Sequence, residues 1–163
     1  MATREVHPPD PDAAVLAREL RTLTHGEAWH GPALAELLEG VSAEAASARP
    51  IPAAHTIWEL VLHVTAWADV FRRRLEGTAV EEPEQGDFPQ PAVTAEGWER
   101  ARKVLFAVHD ALTERVARLS ADDLRAKVPG RDYDALFQVR SAIAHTVYHS
   151  GQIALLRKGT TGR

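Results

Sequence analysis

The chain has 163 residues, 45% of them apolar and 26% charged, which is the size and composition of a single globular domain. It contains no cysteine, which excludes disulfides, thiolate zinc sites and a cysteine nucleophile. A net charge of −4 without an extended basic run argues against nucleic-acid binding, and no apolar run reaches membrane-spanning length. We therefore expect a cytoplasmic protein with no nucleic-acid or membrane partner.

The N-terminal part of the chain is predicted to contain a flexible segment and a broken helix. Residues 1–11 are polar and rich in proline, so we expect no regular structure there. Leucines at helical spacing predict a first helix over residues 12–24. Glycines and a proline interrupt it between residues 26 and 32, and a second piece is predicted over residues 32–38, ended by Gly40.

The clearest helix start in the chain is a capping box. Thr56 and Glu59 stand three residues apart, so the threonine side chain can accept from the Glu59 amide while the glutamate reaches back. This second long helix is predicted to run to about Glu76 and to end before Gly77. An acidic, proline-bearing connection follows over residues 78–93, and we interpret its charge as solvation.

Two further long helices are predicted in the C-terminal half. Thr94 is expected to cap the third long helix, and Ser120 a short turn after it. Gly130 separates that turn from a last helix over residues 134–157, which Gly159 is expected to end.

Together these elements predict an all-α fold. Four long amphipathic segments joined by loops favour an up-and-down four-helix bundle over residues 12–158. The bundle has a broken first helix and a long connection between helices 2 and 3, and residues 159–163 are expected to form a flexible C-terminal tail.

Two histidines on the last predicted helix have the spacing of a metal-binding pair. His145 and His149 are four residues apart, so both rings project from one helix face and can reach one ion. With eight histidines in the chain, such a pair also arises by chance, as surface residues or as hydrogen-bonded core groups. The pair alone leaves both interpretations open.

His63 favours the metal interpretation. It lies in the middle of the second long helix among apolar residues, where a histidine is costly without a partner. A satisfied core histidine remains the alternative. Three neutral nitrogen ligands on two helices would leave one coordination position open for water or substrate, as in catalytic sites. Such a donor set suits zinc, nickel or iron better than calcium or magnesium.

Two segments of the chain also carry a family resemblance. Residues 55–67, HTIWELVLHVTAW, resemble the second-helix signature of the DinB-like/YfiT-like superfamily, and residues 144–158, AHTVYHSGQIALLRK, resemble its last-helix signature. The turn at residues 29–32, WHGP, is similar to that of the subgroup with a broken first helix. The resemblance extends over residues 12–158.

The resemblance implies a four-helix bundle, usually dimeric, that holds a divalent metal on three histidines. The second-helix ligand falls on His63, and the last-helix pair falls on His145 and His149. We therefore expect a homodimer with a divalent transition metal, zinc or nickel, and a small-molecule substrate. Characterised relatives include bacillithiol-dependent S-transferases, a mycothiol-dependent isomerase and metal-dependent hydrolases.

Three functions remain open at this point. The first is a metal-dependent transferase that uses a low-molecular-weight thiol, as in bacillithiol-type S-transfer to an electrophile. The second is a metal-dependent hydrolase, which would need a nearby base, and Glu59 is the one candidate the sequence offers. The third is a non-catalytic metal-binding stress-response module. A solvent-open cavity that reaches the metal would distinguish the enzymes from the module.

Other polar and aromatic residues receive less specific interpretations. Gln152 is expected to touch a ligand or a water, or to pack between helices, and Tyr148 to pack. His109 adjoins the core stripe of the third helix and is expected to be solvated or locally hydrogen-bonded. The arginines at 72–74 are interpreted as one solvated helix end. Trp29 sits in an irregular turn, where its ring could line the mouth of a pocket.

Overall fold

The computed structural model describes residues 8–161, and every regular element in that range is a helix, which confirms the all-helical class. No helix within that range is long and apolar enough to cross a membrane. The helices are α1 (Pro11–His25), α2 (Leu34–Leu38), α3 (Ala43–Ser47), α4 (Ile57–Leu75), α5 (Ala95–Ala117), α6 (Ala121–Arg125) and α7 (Ala135–Thr161).

The predicted capping box forms at the start of α4. The Glu59 amide donates to Thr56 Oγ1 at 3.1 Å, and the Thr56 amide donates to Glu59 Oε2 at 2.8 Å. This reciprocal pair satisfies two of the amide groups that a helix start leaves without intrahelical partners. Thr94 and Ser120 cap α5 and α6 as predicted. The cap on α4 fixes the start of the helix that carries His63.

The four longer helices pack around two apolar clusters. Helix α1 packs against α5 and α7, and α4 packs against the same two helices. One cluster includes Leu20 of α1 and Ala142 of α7, and the other includes Trp58 of α4 and Ile153 of α7. The stretch of α7 between Ala142 and Ile153 therefore spans the region between the clusters, and this stretch carries the predicted histidine pair.

Several helix boundaries differ from the prediction. Helix α3 is a further short helix that the prediction lacks, and it begins where Ser42 Oγ accepts from the Ala45 amide at 3.1 Å. Helix α2 begins at Leu34, two residues after the expected Pro32. Most of the predicted flexible segment, residues 1–7, lies outside the described residues.

Gly159 does not end the last helix, which continues to Thr161. A Cβ atom at position 159 would lie 3.0 Å from the Cβ atom of Pro50. The glycine therefore permits close contact between α7 and the linker before α4, while the helix continues through it. The prediction of the helix end was wrong because a glycine near a helix end is read from sequence as a stop signal.

Arg74 is buried, contrary to the interpretation of residues 72–74 as one solvated helix end. Its Nε and Nη2 atoms donate to the carbonyl oxygens of Val80 and Glu81 at 2.7 and 2.6 Å. Arg131 Nη2 donates to the same two oxygens at 3.3 and 3.0 Å. Two guanidinium groups therefore anchor the beginning of the connection between α4 and α5.

His109 on α5 is also buried, so of the two alternatives expected for it, the solvated histidine was wrong. The residue is 2% exposed, and its Nε2 atom has no hydrogen-bond partner within the described part of the chain. Burial lowers the pKa of His109 to about 4, despite the opposing effect of the adjacent Asp110. The imidazole stays neutral because protonation would leave a poorly compensated charge in the interior.

Replacing His109 with leucine should flatten the acid side of the stability profile. The unfolded chain binds a proton at this residue below about pH 6.5, whereas the folded chain binds it only near pH 4. Stability is therefore lost as pH falls through that window, and His109 should account for about 2 kcal/mol of the loss between about pH 7.5 and 5.

Urea unfolding of the metal-free wild type and of His109→Leu at both pH values measures this difference. His30→Asn, at an exposed histidine, is the matched control and should keep the wild-type pH dependence. An unchanged pH dependence in His109→Leu would contradict the neutral buried state.

Candidate metal centre

Helices α4 and α7 bring the three predicted histidines together. His63 Nε2 lies 2.9 Å from His145 Nε2 and 3.1 Å from His149 Nε2. One ring nitrogen from each residue falls within 4.8 Å of the others, so the three could hold one ion. Nitrogen ligands at about 2.0–2.1 Å from zinc are separated by roughly 2.9–3.4 Å at bond angles of about 90–109°. The observed spacing suits this geometry.

The α4–α5 connection determines which nitrogen of His63 faces the cluster. His63 Nδ1 lies 2.7 Å from the backbone oxygen of Asp87. A carbonyl oxygen only accepts hydrogen bonds, so Nδ1 carries the proton and Nε2 presents a lone pair. Phe88 stacks on the face of the same ring, with centroids 4.2 Å apart and planes 8° apart. The two loop residues fix both the tautomer and the orientation of His63.

Gln152 orients His149 from one turn further along α7. Gln152 Oε1 lies 2.6 Å from His149 Nδ1 and accepts its proton. His149 Nε2 then presents a lone pair toward His63 Nε2, with no hydrogen between these two atoms. Two facing lone pairs repel unless a cation lies between them, so the donor set fits a bound metal ion.

Two histidines of the cluster, His145 and His149, are held in the neutral form that binds metal. Burial lowers the pKa of His145 to about 3, and the neighbouring His149 and His63 lower it further. Burial also lowers the pKa of His149, although Gln152 opposes the shift. Neutral imidazole is the metal-binding form, so these two residues need not lose a proton before binding at neutral pH.

Asp87 is a site residue that the sequence interpretation missed. Its Oδ1 atom accepts from Trp67 Nε1 at 2.7 Å and lies 3.3 Å from His63 Nδ1. The acidic connection over residues 78–93 was interpreted as solvated, and nothing in its sequence marks Asp87 among the neighbouring acidic residues. Only the folded chain places this carboxylate beside a histidine on α4.

Glu59 is occupied elsewhere and does not orient His63. Its carboxylate accepts from the Thr56 amide and from Arg49 Nη2, both at 2.8 Å, and lies 3.3 Å from His55 Nδ1. Burial opposes ionisation of Glu59, but the Thr56 amide and the Arg49 guanidinium outweigh it and lower the pKa. The capping role that explains Glu59 in the sequence also explains it in the structure.

An open pocket of about 590 Å³ reaches the three histidines. The residues that line it are His55, His63, Trp67, Phe71, Asp87, Phe88, His145, Tyr148, His149 and Gln152. Tyr148 was expected to pack. It is instead 65% exposed at the rim of the pocket, where it contacts the His149 ring edge-on. Trp29 is exposed and is not among the lining residues.

The fold and the cluster define an all-helical protein in which three close histidines on the wall of an open pocket could hold a metal ion. The chain belongs to the DinB superfamily, whose family model matches residues 28–152. All three histidines fall within the matched range, and metal binding is a property of proteins of this kind. The comparisons with curated proteins and with solved structures found no match.

Gln152→Leu should weaken metal binding about tenfold to a hundredfold, because His149 loses the acceptor that fixes its tautomer. Gln152→Glu keeps an acceptor at the same position and should retain most of the wild-type affinity. Competition for zinc against a chromophoric chelator measures both dissociation constants. Equal affinities in the wild type and Gln152→Leu would show that Gln152 does not support the site.

Proposed function

We propose that this protein is a divalent-metal-dependent transferase that acts with a low-molecular-weight thiol. In this proposal His63, His145 and His149 bind zinc or nickel through their Nε2 atoms. The observation that carries the proposal is that the Nε2 atoms of His63 and His149 face each other, each with a lone pair. Each lone pair is fixed because the Nδ1 atom of the same ring donates to an acceptor. A cation is the group that such an arrangement stabilises.

The proposed scaffold is an up-and-down four-helix bundle formed by α1, α4, α5 and α7, with α2 as the second piece of the broken first helix. The cyclic packing of α1 on α5 and α7, and of α4 on the same two helices, supports this arrangement. The bundle interior is where other helical metalloproteins place ligands from facing helices. The cytoplasmic location remains an expectation from the cysteine-free composition.

A divalent metal held by His63, His145 and His149 would supply a Lewis acid that lowers the pKa of a thiol in the pocket. The residues of the chain would then shape the surroundings of the thiol. Trp67 and Phe71 form apolar walls beside the histidines, and Phe88 shields one face of His63. Apolar walls limit the water near the reacting sulfur. In the overall reaction sulfur bonds to an electrophilic carbon, the leaving group departs with its electron pair, and the thiol proton goes to solvent.

The open pocket supports an enzyme over a closed metal-binding module. A structural metal site fills all four positions with protein ligands, whereas three histidines at the wall of an open pocket leave room for substrate. The pocket volume of about 590 Å³ suits a small molecule.

Asp87 favours hydrolysis as the second candidate function. The hydrolase hypothesis needed a carboxylate near the metal, and Glu59 does not serve because its carboxylate binds the helix cap and Arg49. Asp87 lines the pocket and its side chain is more than half exposed, so a water could reach it. Hydrolysis of an activated ester in the absence of thiol would favour this function over thiol transfer.

We propose that the expected homodimer forms through the outer face of α7. Phe137, Tyr148 and Leu155 are exposed apolar side chains that share one side of this helix. Gly151 lies on the same exposed side, and a Cβ atom there would meet nothing within 4 Å, so the monomer itself does not require a glycine. A second copy is the proposed partner, and sedimentation analysis measures the oligomeric state directly.

The zinc- or nickel-loaded protein should accelerate the reaction of benzyl mercaptan with 1-chloro-2,4-dinitrobenzene, measured as thioether formation above the uncatalysed rate. His145→Ala should reduce this acceleration to background because one of three ligands is lost. His30→Ala, at an exposed histidine away from the pocket, should keep the wild-type rate. Acceleration that survives both His145→Ala and a chelator would contradict the proposed role of the metal.

A further inference from the structure

We infer that the pocket takes a ligand with one anionic metal-binding group on a flat, otherwise uncharged aromatic body. The inference rests on the proposed metal site and names the class of molecule that the site accepts.

The charges around the pocket favour a single anionic group. None of the ten lining residues, all within the described range, is lysine or arginine. A divalent ion and the Asp87 carboxylate together leave one net positive charge, which one anionic donor atom neutralises. A further carboxylate on the ligand would face Asp87 without a cationic partner, and an unpaired charge near a like charge is unfavourable.

Two guanidinium groups on the surrounding elements, those of Arg49 and Arg74, are already bound. Arg49 Nη2 donates to Glu59 Oε1 at 2.8 Å, beside His55. Arg74 lies 5.8 Å from the centroid of the Trp67 ring, but it is buried and donates to the carbonyl oxygens that anchor the α4–α5 connection. Neither guanidinium can turn to a ligand carboxylate without giving up these bonds.

The shape of the walls favours a flat body. Phe88 lies between two parallel imidazole rings, 3.6 Å from the His55 centroid at 4° and 4.2 Å from the His63 centroid at 8°. Trp67, Phe71 and Tyr148 add three more rings to the lining. Aromatic walls prefer offset or edge-on contact with another ring, which gives an aromatic ligand an advantage over a saturated one of similar size.

Three hydroxamates test the inference without relying on thiol chemistry. Benzohydroxamate carries one metal-binding group on a ring, 4-carboxybenzohydroxamate adds one carboxylate, and cyclohexanecarbohydroxamate replaces the ring by a saturated one. Calorimetric titration of the zinc-loaded protein should rank benzohydroxamate first. The carboxylated probe should bind about tenfold more weakly because its extra charge meets Asp87, and the saturated probe about threefold to tenfold more weakly.

A charge placed at the rim should reverse the discrimination against the carboxylate. Tyr148→Arg introduces a cation beside the pocket and should make 4-carboxybenzohydroxamate bind at least as tightly as benzohydroxamate. Val15→Arg is the matched control, since it makes the same charge change at an exposed apolar residue of α1 outside the lining. It should leave the tenfold preference unchanged.

The outcomes separate this inference from the proposed function. The expected hydroxamate ranking combined with no acceleration of thioether formation by the zinc-loaded protein would support the inference and overturn thiol transfer. Equal or tighter binding of the carboxylated probe to the wild type would overturn the inference, whatever the thiol does. Zinc-loaded protein that binds none of the hydroxamates would also overturn it, and protein that takes up no zinc would overturn both.

Discussion

Three imidazole nitrogens face one another where α4 packs against α7, and hydrogen bonds from the surrounding structure orient the rings of His63 and His149. Protonation of one ring would remove the repulsion between the facing lone pairs. Burial lowers the pKa of His145 and His149 and so disfavours that protonation. The two apolar clusters lie on either side of this part of α7, which fixes the positions of the helix backbones. A metal ion would compensate the facing lone pairs without adding a proton to a buried ring.

The α4–α5 connection links the orientation of the histidines to the rest of the fold. It begins under the guanidinium groups of Arg74 and Arg131, and it returns to α4 where Asp87 and Phe88 contact His63. The same segment is therefore anchored at the end of α4, selects the tautomer of His63 and forms a wall of the pocket. This explains why a connection without regular structure can carry site residues, since its ends and its middle are held by side chains of the helices.

The sequence predicts the parts of the structure that depend on local chemistry. The capping box at Thr56 and the spacing of His145 and His149 follow from helix geometry, and both form as expected. The features that the sequence does not predict depend on how the chain packs. The burial of His109 and the position of Asp87 depend on contacts between distant segments, which the periodicity of one helix does not contain. The prediction that Gly159 ends the last helix failed for a related reason. Its contact partner Pro50 is more than a hundred residues away in the chain.

The rest of the proposal depends on the binding of one divalent transition metal ion by His63, His145 and His149. Elemental analysis of untagged protein, with His145→Ala purified alongside it, measures this binding. We expect about one equivalent of transition metal in the wild type and little in the variant. Wild-type protein that is free of metal, and that takes up none when zinc or nickel is added, would contradict metal binding and leave the three histidines as buried polar packing.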